Sequence, residues 1–176
     1  MANHIIEIAI RAKVSVYSDN YYEDTKQLGD IAREAFSSGA GKSQIRNLEN
    51  IANSASRVAD ILDFVKRQSG RQKSWLHNQF GPLLLEKLDD KLRVESEKIF
   101  SDVRSATTEH TFGDSEKLQD DDQRRIHILL CREFIRHLSA HYLYTLGMQA
   151  YKNKGGGSHG STNSTLSNNT IGLCKV

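Results

Sequence analysis

The sequence predicts an all-α fold, a four- to five-helix bundle, from three observations. One proline in 176 residues leaves little to interrupt helices. Apolar residues recur at spacings of three and four through most of the chain. The one segment that also alternates like a strand, 3–17, has no second strand to pair with, and a lone strand is not stable.

In chain order, Ile6, Ile10, Val14 and Tyr17 fit one helical face, so 3–17 is expected to be helical although its β-branched content pulls toward strand. Tyr21, Leu28, Ile31, Ala32, Ala35 and Phe36 mark a second helix over 20–36, stopped by Gly39-Ala40-Gly41. Ser43 is the expected N-cap of a third, running to about Gln68 with Ile45, Leu48, Ala52, Ala55, Ala59 and Leu62 as its stripe. Gly81-Pro82 opens a fourth, with proline at its favoured first position and Leu85, Leu88, Leu92, Ile99 and Val103 as its seam to about Arg104. Residues 105–120 read as a loop. The last helix, Arg124 to Tyr151, buries Ile128, Cys131, Ile135, Leu138 and Tyr142, and Asp120-Asp121-Asp122 suits the positive end of its dipole. Beyond Lys154 the chain turns to Gly, Ser, Thr and Asn, which bury too little apolar surface to order themselves. The expected division is a helical domain over 1–152 and a flexible tail over 153–176.

No run of about 18 apolar residues suggests a membrane span, and no secretory leader is recognisable at the N-terminus. The cysteines Cys131 and Cys174 form no CxxC pair. A cytoplasmic protein is expected, with no cofactor and no metal. His127, Cys131, His137 and His141 fall on two lines of one helix and cannot close a metal site alone. Ala40-Gly41-Lys42-Ser43 ends like a phosphate-binding loop but lacks the earlier glycine, since Phe36 stands there, and lacks a preceding strand.

The net charge of +2 conceals a partition. Residues 1–41 carry −2, 42–75 carry +4, 76–122 carry −6 and 123–154 carry +5. Two basic helical blocks flank an acidic one, as a polyanion partner would exploit, although basic and acidic helices could equally face each other inside the bundle. Arg46, Asn53 and Arg57 fall in one line, and Arg125, Arg132 and Arg136 in another. Guanidinium forks match phosphate oxygens, so these rows, with Lys42, are the candidate RNA-binding residues. Trp75, His137, Tyr142 and Tyr144 could add stacking.

Two blocks resemble the small subunit of type III CRISPR effector complexes. One is Gly41-Lys42-Ser43-Gln44-Ile45-Arg46-Asn47-Leu48. The other is Arg132-Glu133-Phe134-Ile135-Arg136-His137-Leu138-Ser139-Ala140-His141-Tyr142-Leu143-Tyr144. The resemblance implies a non-catalytic helical subunit of an antiviral ribonucleoprotein. Its partners would be guide RNA and target RNA backbone, the other effector subunits and copies of itself. Lys42, Arg46, Arg132 and Arg136 would be the contacts carried over. An alternative uses the same helix: Arg136 and His141 resemble the arginine-x4-histidine motif of HEPN ribonucleases, in which a histidine and an arginine act on the scissile phosphate. Arg132 and His137 repeat that spacing.

Overall fold

The computed structural model describes residues 2–37, 41–109 and 120–155, with side chains at 6–37, 41–106 and 120–153. They form an all-α bundle. Its helices are α1 (Ala2–Asp19), α2 (Tyr22–Ala35), α3 (Gly41–Ser54), α4 (Val58–Arg71), a short α5 (Lys73–Leu76), α6 (Phe80–Glu86), α7 (Leu92–Glu109) and α8 (Asp120–Gly155). A π-helical turn, Lys87–Lys91, joins α6 to α7. The residues from 156 onward, where most of the expected tail lies, fall outside the described part. So do Gly39 and Ala40 of the expected helix stop and 110–119 of the expected loop. Asn153 to Gly155 still belong to α8.

α8 is the axis of the bundle. Its 36 residues reach about 54 Å, and α1, α2, α3 and α7 all pack on it. The predicted seam of Ile128, Cys131, Ile135, Leu138 and Tyr142 is buried. Ile126, Leu130 and Phe134 are buried as well, because neighbours cover the helix on more than one side. On α2, Gly29 lets α8 come close: a Cβ there would lie 2.8 Å from His141 Cδ2. α1 is helical, with Ile10 and Val14 buried and Ile8 and Val16 exposed, so its helical period decides over its β-branched content.

The helix expected over 43–68 is two helices. Ala55, Ser56 and Arg57 separate α3 from α4. Arg57 takes extended φ/ψ (−134°, 146°) as the N-cap of α4, and its backbone N–H donates to Asp60 Oδ2 at 3.3 Å. The Asn53-Ser54-Ala55-Ser56 run supplies short polar side chains that compete with the helical backbone; Ser54 Oγ donates back to Asn50 O at 2.9 Å. The break takes Arg57 off the line of Arg46 and Asn53. α3 also begins at Gly41, which places Ser43 inside its first turn instead of at the cap.

Further on, the π turn advances the seam of the fourth predicted helix. Leu84 is fully buried where Leu85 was expected, while Leu88, Leu92, Ile99 and Val103 are buried as predicted. Pro82 is the third residue of α6 and not its first. Asn78 and Gln79 before it have positive φ (47° and 58°), a conformation asparagine tolerates better than glutamine does. An aromatic cluster of Phe36, Phe64, Trp75 and Phe80 closes this end, with ring centroids 5.3 Å apart for Trp75 and Phe80 and 5.5 Å for Phe36 and Trp75. Trp75 Nε1 donates to Gln44 Oε1 at 3.3 Å. Trp75 and Tyr142 therefore belong to the core and offer no stacking face to a nucleic acid. Tyr144 remains exposed, and His137 packs edge-on against Tyr22.

Candidate anion-binding cleft

The α3–α4 break, the middle of α1 and the first three turns of α8 enclose a cleft of about 720 Å³. Five arginines line it: Arg11, Arg57, Arg124, Arg125 and Arg132. Val58, Ile128 and Leu129 supply its apolar wall and Asp121 its one lining carboxylate. Arg57 comes from the N-cap of α4. Arg125 and Arg132 lie seven residues apart on α8, within about 20° of each other around the helix and about 10 Å along it. Arg11 reaches in from α1.

The guanidiniums are not left bare. Glu7 of α1 holds Arg11 Nε at 2.5 Å by one oxygen and forms an ion pair with Arg125 Nη2 by the other. Arg57 Nη2 donates to Asp60 Oδ1 at 2.9 Å, a hydrogen bond that raises the arginine's pKa further. Arg124 meets Asp121 at 3.1 Å. Arg132 is half-buried and turned inward, donating from Nε to Ala52 O at 3.1 Å and from Nη2 to Ala55 O at 2.8 Å. It fastens the carbonyl end of α3, where the last turn has no intrahelical donors.

Even so the cleft keeps an excess of positive charge. One carboxylate serves both Arg11 and Arg125, and carbonyls do not cancel the charge of Arg132. The Arg57–Asp60 and Arg124–Asp121 pairs are also wet, with the Arg57, Arg124 and Asp121 side chains 76%, 81% and 84% exposed, whereas Glu7, which holds Arg11 and Arg125, is 17% exposed. The wet pairs hold weakly in water, and an anion can replace their carboxylates. His127 closes the inner wall. Its Nε2–H donates to Leu88 O in the π turn at 2.7 Å, and burial lowers its pKa below the usual histidine value.

The remaining predicted residues do not meet in this cleft. Arg46 is exposed on α3, and its side chain makes no hydrogen bond or ion pair among the described residues. Arg136 is exposed on α8 and paired with Glu133. Lys42 lines a different cavity with Arg33 and Tyr142. Arg132 leaves the outward row altogether, so the two helices do not present the continuous track that their spacing suggested. Arg11 and Arg124 were missed by the sequence reading. Arg11 sits in the block 1–41 of net charge −2, and nothing local signals that α1 brings it to α8.

For the nuclease alternative, Arg136 and His141 are five residues apart, about 140° around the helix. His141 faces α2, with Nε2 3.2 Å from Asp30 Oδ1, while Arg136 faces Glu133. Arg132, the arginine of the repeated spacing, is spent on carbonyls. Among the described residues no group of three or more histidines, cysteines or carboxylates could hold a metal ion. No described helix is long and apolar enough to cross a membrane. Compared with models of protein families, with curated proteins and with solved structures, the chain matches none.

Proposed function

We propose that this chain is a non-catalytic RNA-binding subunit, gripping a sugar-phosphate backbone through the arginine cleft between α1, α4 and α8. The observation that carries the reading is the convergence of five arginines from three separate stretches of sequence on one open cavity. Guanidiniums on a concave surface suit phosphate diesters, whose oxygens only accept hydrogen bonds. An apolar wall without base-reading groups suits binding without sequence preference.

The finer assignment is the small subunit of a type III CRISPR ribonucleoprotein in the cytoplasm, acting in antiviral defence beside guide RNA, target RNA, other subunits and its own copies. The two sequence blocks that resemble that family support it, together with the all-helical architecture. Base pairing would then supply specificity while the cleft supplies only backbone affinity. Contact falls to Arg11, Arg57, Arg124 and Arg125, with Arg132 bracing the wall behind them. Arg46 and Arg136 lie outside this surface. The HEPN reading gains no comparable observation, because its arginine and histidine face different neighbours.

Fluorescence anisotropy with a labelled single-stranded RNA tests the proposal. The double variant Arg11→Ala with Arg124→Ala, both at exposed positions, is expected to weaken binding at least about tenfold. Arg46→Ala with Arg136→Ala is expected to bind like the wild type. Equal loss in both pairs, or no binding by the wild type, overturns the cleft assignment.

A further inference from the structure

A second cavity, of about 410 Å³, lies at the corner of α2, α3 and α8. It stands apart from the arginine cleft and shares no lining residue with it. Its chemistry is one of unanswered donors. Tyr142 is 2% exposed and lines the cavity, yet its hydroxyl has no hydrogen-bond partner among the described residues. Arg33 lines the same space, with a buried Nε that likewise lacks a partner. Lys42 completes the set from the first turn of α3. The Gly41 and Lys42 amides have no intrahelical acceptors, and the 14-residue helix behind them adds the positive end of its dipole.

Two further details shape the site. A Cβ on Gly41 would lie 2.1 Å from Tyr142 Oη and 2.5 Å from Phe36 Cβ. The absence of a side chain there is what lets the phenol reach the start of α3. The one carboxylate in the lining, Glu34, which also accepts from Asn78 Nδ2 at 2.8 Å, carries a single negative charge against the two cations. Phe36 and Leu146 add an apolar wall.

We propose that this corner is a phosphate-binding site for a small phosphomonoester. The phosphate oxygens take hydrogen bonds from Tyr142 Oη, the Arg33 guanidinium, Lys42 Nζ and the Gly41 and Lys42 amides, and the organic part rests on Phe36 and Leu146. The assignment follows from donors without acceptors: a phosphate offers three terminal oxygens and needs no donor of its own. A cation would meet two positive charges. A neutral ligand would leave the lining with its net positive charge. The site does not depend on RNA binding in the cleft.

The test uses the full chain, labelled with ¹⁵N, titrated with inorganic phosphate and separately with adenosine 5′-monophosphate, against sodium chloride of equal ionic strength. Saturable shifts of the Gly41 and Lys42 amides are expected with both probes, the monophosphate binding more tightly because it also covers the apolar wall. Tyr142→Phe and Lys42→Gln should each weaken binding about tenfold, while Arg125→Ala, in the other cleft, should not. Lys42 is exposed, so its variant reports even if Tyr142→Phe fails to fold. No saturable shift with either probe overturns the site, as does undiminished affinity in Lys42→Gln. Phosphate binding that excludes the monophosphate overturns the ester assignment.

Discussion

Arg132 closes the end of α3: its Nη2 donates to Ala55 O at 2.8 Å while its Nε donates to Ala52 O. An arginine that its spacing aligned with Arg125 and Arg136 is thereby withdrawn from the solvent row and made the brace between α8 and the α3–α4 break. Arg132→Ala should therefore act first on stability. Losing charge-assisted hydrogen bonds at buried carbonyls costs about 2–3 kcal/mol, a fall of about 5–10 °C in Tm for a chain of this size. Arg132→Lys should recover only part of it, since a single ammonium cannot serve both carbonyls in the fork geometry. Calorimetry on the two variants checks this.

His127 ties the cleft wall to the π turn through Leu88 O, and burial depresses its pKa. The folded state therefore binds a proton less readily than the unfolded chain does. The stability this histidine contributes is present above its ordinary pKa near 6.5 and is lost as pH falls from there toward the lowered folded value. His127→Gln, whose amide can still donate to Leu88 O, should flatten Tm against pH below that point relative to the wild type. Parallel profiles for the two proteins would refute this.

Cys131 is buried beside Leu88 O, and burial pushes its thiol well above the ordinary range. Reactivity needs both thiolate and access. Alkylation by iodoacetamide at neutral pH, mapped by mass spectrometry, should spare Cys131 in the folded protein and label it in urea.

Gly41 is expected to resist replacement. A Cβ there overlaps Tyr142 Oη and Phe36 Cβ, and overpacking of this kind costs about 1–3 kcal/mol. Gly41→Ala in a Tyr142→Phe background should cost less than in the wild type, because the atom nearest the new methyl is gone. Urea unfolding of the four proteins gives that coupling directly.

The course of α8 was legible because its apolar positions repeat strictly at three and four, and both ends of the predicted helix fall inside it. The break at 55–57 was not. Ala52, Ala55 and Ala59 continue a helical stripe straight through it, and alanine says little about burial: Ala55 is buried and Ala59 exposed. The π turn was hidden for a related reason, since the exchange of Leu84 for Leu85 leaves the leucine-rich pattern unchanged. The cleft was half legible. Helical spacing aligned Arg125 with Arg132, and the basic blocks contained Arg57. Spacing along one helix cannot reveal that Arg132 lies opposite the carbonyl end of another, nor that α1 delivers Arg11 to the same cavity.

The salt dependence of RNA affinity tests the central claim most directly. Each phosphate neutralised on a single strand contributes about −0.7 to the slope of log K against log salt. The wild type should show a steep negative slope, and Arg11→Ala with Arg124→Ala should make it shallower by about 1.4, with the Arg46→Ala and Arg136→Ala pair leaving it unchanged. A slope near zero in the wild type, or one that only the Arg46 and Arg136 variants alter, would contradict the account.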